Sequence, residues 1–242
     1  MKIISLVPSI TEALFDFGLY DKQIIGRTKF CVQPKDKVES VPKIGGTKNI
    51  NIPKILELKP DLIIANKEEN DEEQVKELMK HHEVWVTDIK TVDDNVSFLK
   101  ALGKRLNKVE IAKEFIQKIK ETLSGSNSEN KLKAVYLIWK NPYMTIGGDT
   151  FINDVLKKIG IKNIFENQKR YPEISVDEMK NTDIIFLSSE PYPFKEKHLM
   201  EIEEVTGKKT IRVDGEAFSW YGTQLAKRRE YFKELLNELG KI

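Results

Sequence analysis

Short apolar runs alternate with helix-spaced patterns along the chain. IISLV (3–7) precedes TEALFDFGL, QIIG spans 23–26, DLIIAN (61–66) precedes EEQVKELMK, and VWVTD (84–88) closes a first series. Such alternation predicts βα units and parallel sheet. Between 92 and 123, Val96, Leu99, Leu102, Leu106, Val109, Ala112, Ile116 and Ile119 recur at intervals of three or four, which predicts one long helix. The Ser/Gly/Asn cluster SGSNSEN (124–130) then reads as a linker. A second series follows: AVYLIW (134–139), FINDVLKKIG, DIIFLSS (183–189), TIRVD (210–214) and a terminal helix over 224–239.

The second series repeats the first. TEALFDFGL (11–19) matches NDVLKKIGI (153–161), with Gly18 and Gly160 as helix stops, LKPDLIIAN (58–66) matches MKNTDIIFLSS (179–189), and VWVTD matches TIRVD. Any single pair is within reach of chance. Three pairs in the same order predict two similar α/β lobes, residues 1–91 and 130–242, bridged by one helix over 92–124.

Composition narrows the function. Among 242 residues, 40 basic side chains oppose 38 acidic ones for a net charge of +2. With Lys and Glu interspersed there is no basic stripe, so nucleic acid is not an expected partner. The single cysteine, Cys31, excludes an internal disulfide. The opening apolar run is shorter than a secretory signal's core, and no stretch reaches the length of a membrane span. The expected compartment is therefore the cytoplasm if Met1 is the native start, and the periplasm or cell envelope if a signal has been removed.

Open parallel sheets bind ligands beyond the carboxyl ends of their strands. There, VPSITE and IGGDT place small residues before a helix, where Ser9, Thr11, Asp149 or Thr150 can cap it or meet an acceptor-bearing ligand. The other strand-flanking loops are RTKFC, KIGGTKN, ANKEEN, WKNPYM, SSEPYPF and DGEAFSWYG (214–222). They collect Phe30, Trp139, Tyr143, Tyr192, Phe194, Phe218, Trp220 and Tyr221. Loop aromatics beside glycines describe a binding cleft between the lobes for a bulky, partly flat ligand, with DGEAFSWYG as one wall.

The segments SLVPSITEALFDFG, IGRT, VPKIGGTKNINIPKILELKPDLIIA and TIGGDTFINDVLKKIG resemble the helical-backbone substrate-binding proteins of ABC importers, the cobalamin- and ferric-siderophore-binding group. The resemblance covers nearly the whole chain and implies two lobes bridged by a long helix. It also implies a corrinoid, haem or iron-siderophore held without a covalent bond between them. It carries ligand contacts onto Ser9, Phe30, Gly45, Asn66, Gly148, Phe218, Trp220 and Tyr221. Asn66 stands where the cobalamin binder has tryptophan. The family docks on its permease through one glutamate per lobe, which points to Glu72 and Glu196, each otherwise a solvated helix-face residue.

Other chemistry is thin. His81, His82, His198 and Cys31 have no metal-site spacing, so a metal is expected only inside its chelator. Cys31 is either a packed residue or an axial contact to a chelated metal. No nucleophile elbow, P-loop, zinc-protease or dinucleotide motif occurs. Glu12, Glu190, Asp214 and Glu216 leave open a chelatase-like or corrinoid-processing enzyme. A ligand-free interaction module is the third class.

Overall fold

The computed structural model describes residues 1–124 and 132–240, so most of the expected linker at 124–130 lies outside the described residues. The chain forms two compact units. Unit 1 comprises Met1–Ile89, Asp93–Ile116 and Tyr221–Gln224; unit 2 comprises Lys90–Val92, Gln117–Trp220 and the chain from Leu225 on.

The first series runs β1 (Ile3–Ser5), α1 (Pro8–Asp16), β2 (Ile24–Arg27), α2 (Lys35–Val38), α3 (Ile52–Leu58), β3 (Leu62–Asn66), α4 (Glu72–Met79) and β4 (Val84–Thr87). Its sheet is parallel, ordered β2-β1-β3-β4. After α5 (Val92–Arg105) and α6 (Val109–Thr122), the second series runs β5 (Lys133–Leu137), α7 (Phe151–Lys158), β6 (Lys162–Asn163), α8 (Val176–Met179), β7 (Ile184–Ser188), α9 (Glu196–Thr206), β8 (Lys209–Val213) and α10 (Gly215–Ser219). A 3₁₀ turn at Gln224–Lys227 leads into α11 (Arg229–Leu239). The second sheet is also parallel, ordered β6-β5-β7-β8, so the repeat extends to topology.

The central strands explain the apolar runs. Every residue of β3 and of β7 is buried, as expected for parallel strands covered on both faces. On one face of the first sheet, Ile4, Leu6, Ile63 and Ala65 pack with Ile44, Ile55 and Leu78. In the second, Val135, Leu137, Ile185 and Leu187 pack with Met179, Phe194 and Ile202.

The helix stops also repeat. After α1, Gly18 has φ +75°, its N–H reaches Phe15 O at 2.8 Å, and Leu19 N–H reaches Leu14 O at 3.1 Å. After α7, Gly160 has φ +87°, with Gly160 N–H on Lys157 O at 3.2 Å and Ile161 N–H on Leu156 O at 2.9 Å. Both are Schellman closures, which need a residue tolerant of positive φ.

The long helix expected over 92–123 is two helices. Asn107 takes φ +53°, Lys108 N–H bonds Gly103 O at 2.7 Å and Asn107 N–H bonds Lys104 O at 3.3 Å, the same closure with asparagine in the left-handed position. Leu106 and Val109 keep the apolar spacing across the break, which hides it from a periodicity argument. The helices then pack closely at Gly103, where a Cβ would come within 2.6 Å of Ala112 Cβ.

Candidate functional site

In unit 1, a pocket of about 470 Å³ opens beyond the carboxyl end of edge strand β2. Its walls are the turn at Lys29 and Phe30 and the loop 43–49. Parallel pairing of Arg27 with Lys43 continues the sheet edge into that loop, and a Gly45–Ile50 bridge folds it back. Gly45 takes φ +109°, and a Cβ there would sit 2.5 Å from Asn49 O. This glycine is therefore required by the loop's own closure.

Side chains following β3 clamp the loop. Asn70 Nδ2 donates to Thr47 O and Leu6 O, both at 3.1 Å. Gln74 accepts from Ile50 N–H at 2.8 Å and donates to Lys48 O at 2.9 Å. Phe30 projects from this frame with half its surface exposed, and Lys29 Nζ lies 5.0 Å from its ring centroid.

The structure thus brings Phe30 and Gly45 together on one pocket. It gives Asn66 a different task. The Asn66 side chain accepts from Glu68 N–H at 2.8 Å and Glu69 N–H at 3.2 Å and donates to Thr87 Oγ1 at 3.1 Å, so it builds the turn after β3 while buried. Ser9 lies in the first turn of α1 without capping it; Pro8 starts that helix and Val7 precedes it with no side-chain cap. The buried Ser9 Oγ adjoins the Tyr221 phenol but makes no hydrogen bond of good geometry among the described residues. Thr11 instead bonds back to Val7 O at 2.9 Å and to Cys31 Sγ at 3.0 Å.

Cys31 is fully buried, and burial pushes its thiol up. It is the packed residue of the two alternatives, since its sulfur meets Thr11 and Thr28 side chains.

Tyr221 is buried in unit 1, where its hydroxyl donates to Glu69 Oε1 at 2.7 Å. Burial first, and the Glu69 carboxylate second, raise its pKa well above the ordinary tyrosine value.

In unit 2 the aromatic stretch separates into different roles. Residues 214–222 do not form the expected loop: Asp214 accepts from Glu216 N–H at 3.1 Å and caps α10, a helix too short to leave a period in the sequence. Phe218 points into the core, with ring centroids of Phe232 at 5.2 Å and Tyr136 at 5.3 Å. It is a core residue, correcting its reading as a cleft wall. Trp220 is half-buried and donates through Nε1 to Glu190 Oε1 at 3.1 Å; Ser219 reaches the same oxygen at 2.7 Å.

Gly148 answers to its own chain as well. A Cβ there would lie 2.0 Å from Glu166 O, and its N–H pairs with Gln168 O at 2.9 Å. The helix-capping reading of IGGDT holds at Thr150, whose Oγ1 accepts from Asn153 N–H at 3.3 Å at the start of α7. An aromatic group sequence reasoning grouped only loosely forms after β5 and β7: exposed Trp139 meets Tyr192 edge-on at 5.5 Å, and Tyr192 meets Phe194 at 4.7 Å.

Three of the carboxylates considered for acid–base work, Asp214, Glu216 and Glu190, have structural partners. Arg228 pairs with Asp214 at 3.1 Å and Glu216 at 3.7 Å. Burial, then the nearby Asp214 charge, raise the Glu190 carboxyl against its two hydrogen bonds. Among the described residues, no three His, Cys, Asp or Glu side chains cluster as a metal site, and no helix is long and apolar enough to cross a membrane.

Glu72 and Glu196 are exposed and occupy the same place in the repeat, each the first residue of the helix after the third strand of its sheet series, α4 and α9. Glu72 bonds Lys76 one turn on at 3.0 Å. What the sequence reading passed over is the set of lysines around Phe30: Lys29, Lys43 and Lys48 all line its pocket. Their signal was visible as one lysine in RTKFC and two in the glycine-bearing KIGGTKN.

The profile of the periplasmic binding protein family matches residues 3–214. The chain belongs to the periplasmic binding protein family. It is 28% identical to the vitamin B12-binding protein of Vibrio cholerae over 195 residues, 77% of this chain and 70% of that one. It is 29% identical over 188 residues to an uncharacterized ABC transporter substrate-binding lipoprotein of Bacillus subtilis, covering 72% of this chain and 58% of that protein. The crystal structure of the periplasmic vitamin B12 binding protein of Vibrio cholerae superposes over 100% of this chain and 98% of that one, with a TM-score of 0.82 at 21% identity. The apo periplasmic heme-binding protein of Roseiflexus sp. RS-1 superposes over 96% and 98%, with a TM-score of 0.79 at 15% identity. Such likeness establishes the fold: two parallel-sheet α/β lobes of the kind these binding proteins share.

Proposed function

We propose that this chain binds a large metal chelate without covalent attachment, as the substrate-binding component of an ABC-type importer. The observation that carries the reading is the family match over residues 3–214, beside 28% identity over 195 residues to a vitamin B12-binding protein. The clamped pocket at Phe30 and Gly45 supports it, because its 470 Å³ volume lies in the range of small-molecule sites and follows a strand's carboxyl end.

On this reading Phe30 and Gly45 serve a ligand site in unit 1, with Phe30 offering ring surface, and Trp220 offers ring surface in unit 2. Ser9, Asn66 and Tyr221 shape the frame of unit 1, and Gly148 that of unit 2. The protein performs no chemistry on its cargo, a reading supported by the engagement of Asp214, Glu216 and Glu190 with Arg228, Ser219 and Trp220. It works in the cell envelope, like relatives described as periplasmic or lipoprotein. Glu72 and Glu196 dock it on a permease, a role supported by their exposure and equivalent positions.

The test is a titration with cobalamin, cobinamide, haem and ferric siderophores, followed by tryptophan fluorescence and calorimetry. Saturable one-to-one binding of a chelate, with its absorption spectrum unchanged after release, is the expected result. A chelate released with its metal exchanged or its ring altered would establish the chelatase-like alternative instead.

A further inference from the structure

The pocket at Phe30 carries a strong sign of charge. Of the side chains lining it, three are lysines, Lys29, Lys43 and Lys48, and none is a carboxylate. The chain as a whole is nearly balanced, with a net charge of +2, so this concentration is local. Like charges gathered in one concavity repel one another and raise the potential felt by an incoming anion.

The cations are also placed for contact. Lys48 Nζ donates to Glu68 O at 2.7 Å and Asn70 O at 3.3 Å, which fixes the ammonium at the pocket lip. An ammonium has three donors, so one remains for a ligand. The Lys48 backbone is itself held, through its carbonyl, by Gln74. Lys29 Nζ lies 5.0 Å from the Phe30 ring centroid, and Gly46 adjoins both side chains: a Cβ there would stand 3.4 Å from Phe30 Cε2 and 3.6 Å from Lys29 Cε. With half its surface exposed, Phe30 offers apolar area beside a cation.

An exposed phenylalanine beside the Lys29 ammonium, in a pocket also lined by Lys43 and by Lys48 on a loop held by Asn70 and Gln74, suits one ligand shape: a flat apolar surface edged with acidic oxygens. We infer that the cargo is an anionic metal chelate whose carboxylate or catecholate oxygens meet Lys29, Lys43 and Lys48 while a planar part packs on Phe30. An uncharged corrinoid with an amide periphery would offer these lysines no counter-charge of its own. This rests on the chelate-binding reading and narrows it.

The experiment measures dissociation constants for haem, a ferric tris-catecholate and cobinamide, at low and high salt, in the wild type and in Lys29→Gln, Lys43→Gln, Lys48→Gln and Phe30→Ala. Lys100→Gln, on α5, is the control for general charge. Charge-assisted hydrogen bonds are strong enough that each pocket lysine lost should weaken an acidic chelate roughly tenfold. Salt should weaken it further, and cobinamide should bind at least about a hundredfold more weakly than the best acidic chelate. Cobinamide binding as tightly as the acidic chelates, or lysine variants indistinguishable from Lys100→Gln, would overturn the anionic inference and leave chelate binding standing. No binding by any of the three would overturn the chelate reading and this inference with it. Unchanged melting temperatures in the glutamine variants separate lost contact from lost folding.

Discussion

The Tyr221 hydroxyl donates to Glu69 Oε1 at 2.7 Å, across 152 positions of sequence. It is one of several stitches that hold Tyr221–Gln224 in unit 1 although the residues on either side belong to unit 2. Gly222 N–H bonds Asn95 Oδ1 at 2.6 Å, Asn95 Nδ2 bonds Gly222 O at 3.0 Å, and Thr223 bonds Asp16. Gly222, at φ +82°, fits under Ser9 and Ala13, where a Cβ would lie 3.2 Å from each. The four residues Tyr221–Gln224 therefore complete the first unit.

Asn95 should carry more of this stitch than Tyr221. Asn95→Ala leaves a buried N–H and a buried carbonyl of Gly222 unpaired, a loss of about 2 kcal/mol or more, whereas Tyr221→Phe removes one hydrogen bond, about 1 kcal/mol. Urea denaturation of both variants checks the order. An Asn95 variant no weaker than the Tyr221 variant would place the strap's hold elsewhere.

Gly148→Ala separates a frame role from a ligand role. Its Cβ would collide with Glu166 O at 2.0 Å, a backbone atom that cannot swing aside. Overpacking against backbone should cost about 3 kcal/mol or more. The expected outcome is a sharply lowered melting temperature. A normally stable variant with weakened chelate affinity would restore Gly148 as a direct contact.

Glu190 makes stability depend on pH. Burial and Asp214 raise its pKa above the ordinary 4.5, so the folded state holds this proton more tightly than the unfolded chain does. The stability it contributes is complete below 4.5 and is lost as pH rises through the raised folded value. Glu190→Gln keeps an acceptor for Ser219 and Trp220 without the buried charge. Thermal melts should show the variant more stable than wild type near neutral pH and the difference closing at about pH 4. A variant less stable than wild type at neutral pH would mean that the ionised carboxylate is the favoured partner of those donors.

The fold was legible because its signals are local and repeated. Wholly buried β3 and β7 read as unbroken apolar runs, and Gly18 and Gly160 mark equivalent helix stops by a conformation few residues accept. Asn107 performs the same stop, but Leu106 and Val109 maintain the helical spacing around it, so the two helices read as one. The site was harder. An aromatic in a stretch without a clear period looks alike in sequence whether it turns inward, as Phe218 of α10 does, or outward, as Phe30 does, because the choice is made by tertiary packing. Asn66, Gly45 and Gly148 sit in distinctive motifs, yet their motifs serve the chain's own turns. The lysines around Phe30 lie in and beside the same motifs, and only folding of the loop 43–49 onto the turn after β2 gathers them.

If Glu72 and Glu196 dock a permease, reversing either charge should impair transport while leaving chelate affinity intact. Both are exposed at helix starts, so Glu72→Lys and Glu196→Lys lose the favourable interaction of an acidic group with the helix N-terminus, about 0.5 kcal/mol each, and Glu72→Lys also loses its exposed ion pair with Lys76. Ligand-stimulated ATP hydrolysis by the reconstituted importer is the readout. Full stimulation by the double variant would exclude these residues from docking.

Trp220 allows the contribution of its ring to be separated from that of its hydrogen bond. The half-buried indole donates to Glu190 at 3.1 Å and leaves part of its ring exposed. Trp220→Phe removes the donor and keeps an aromatic surface; Trp220→Ala removes both. If a planar ligand packs on the ring, Trp220→Ala should weaken binding by about 1–3 kcal/mol and Trp220→Phe by much less, since most of the effect comes from buried aromatic area. Equal losses in the two variants would trace the effect to the bond with Glu190, and calorimetry showing no loss in either would remove Trp220 from the site. Tryptophan fluorescence adds an independent reading: quenching on ligand addition that vanishes in Trp220→Phe, with Trp85 and Trp139 still present, locates the chelate beside this residue.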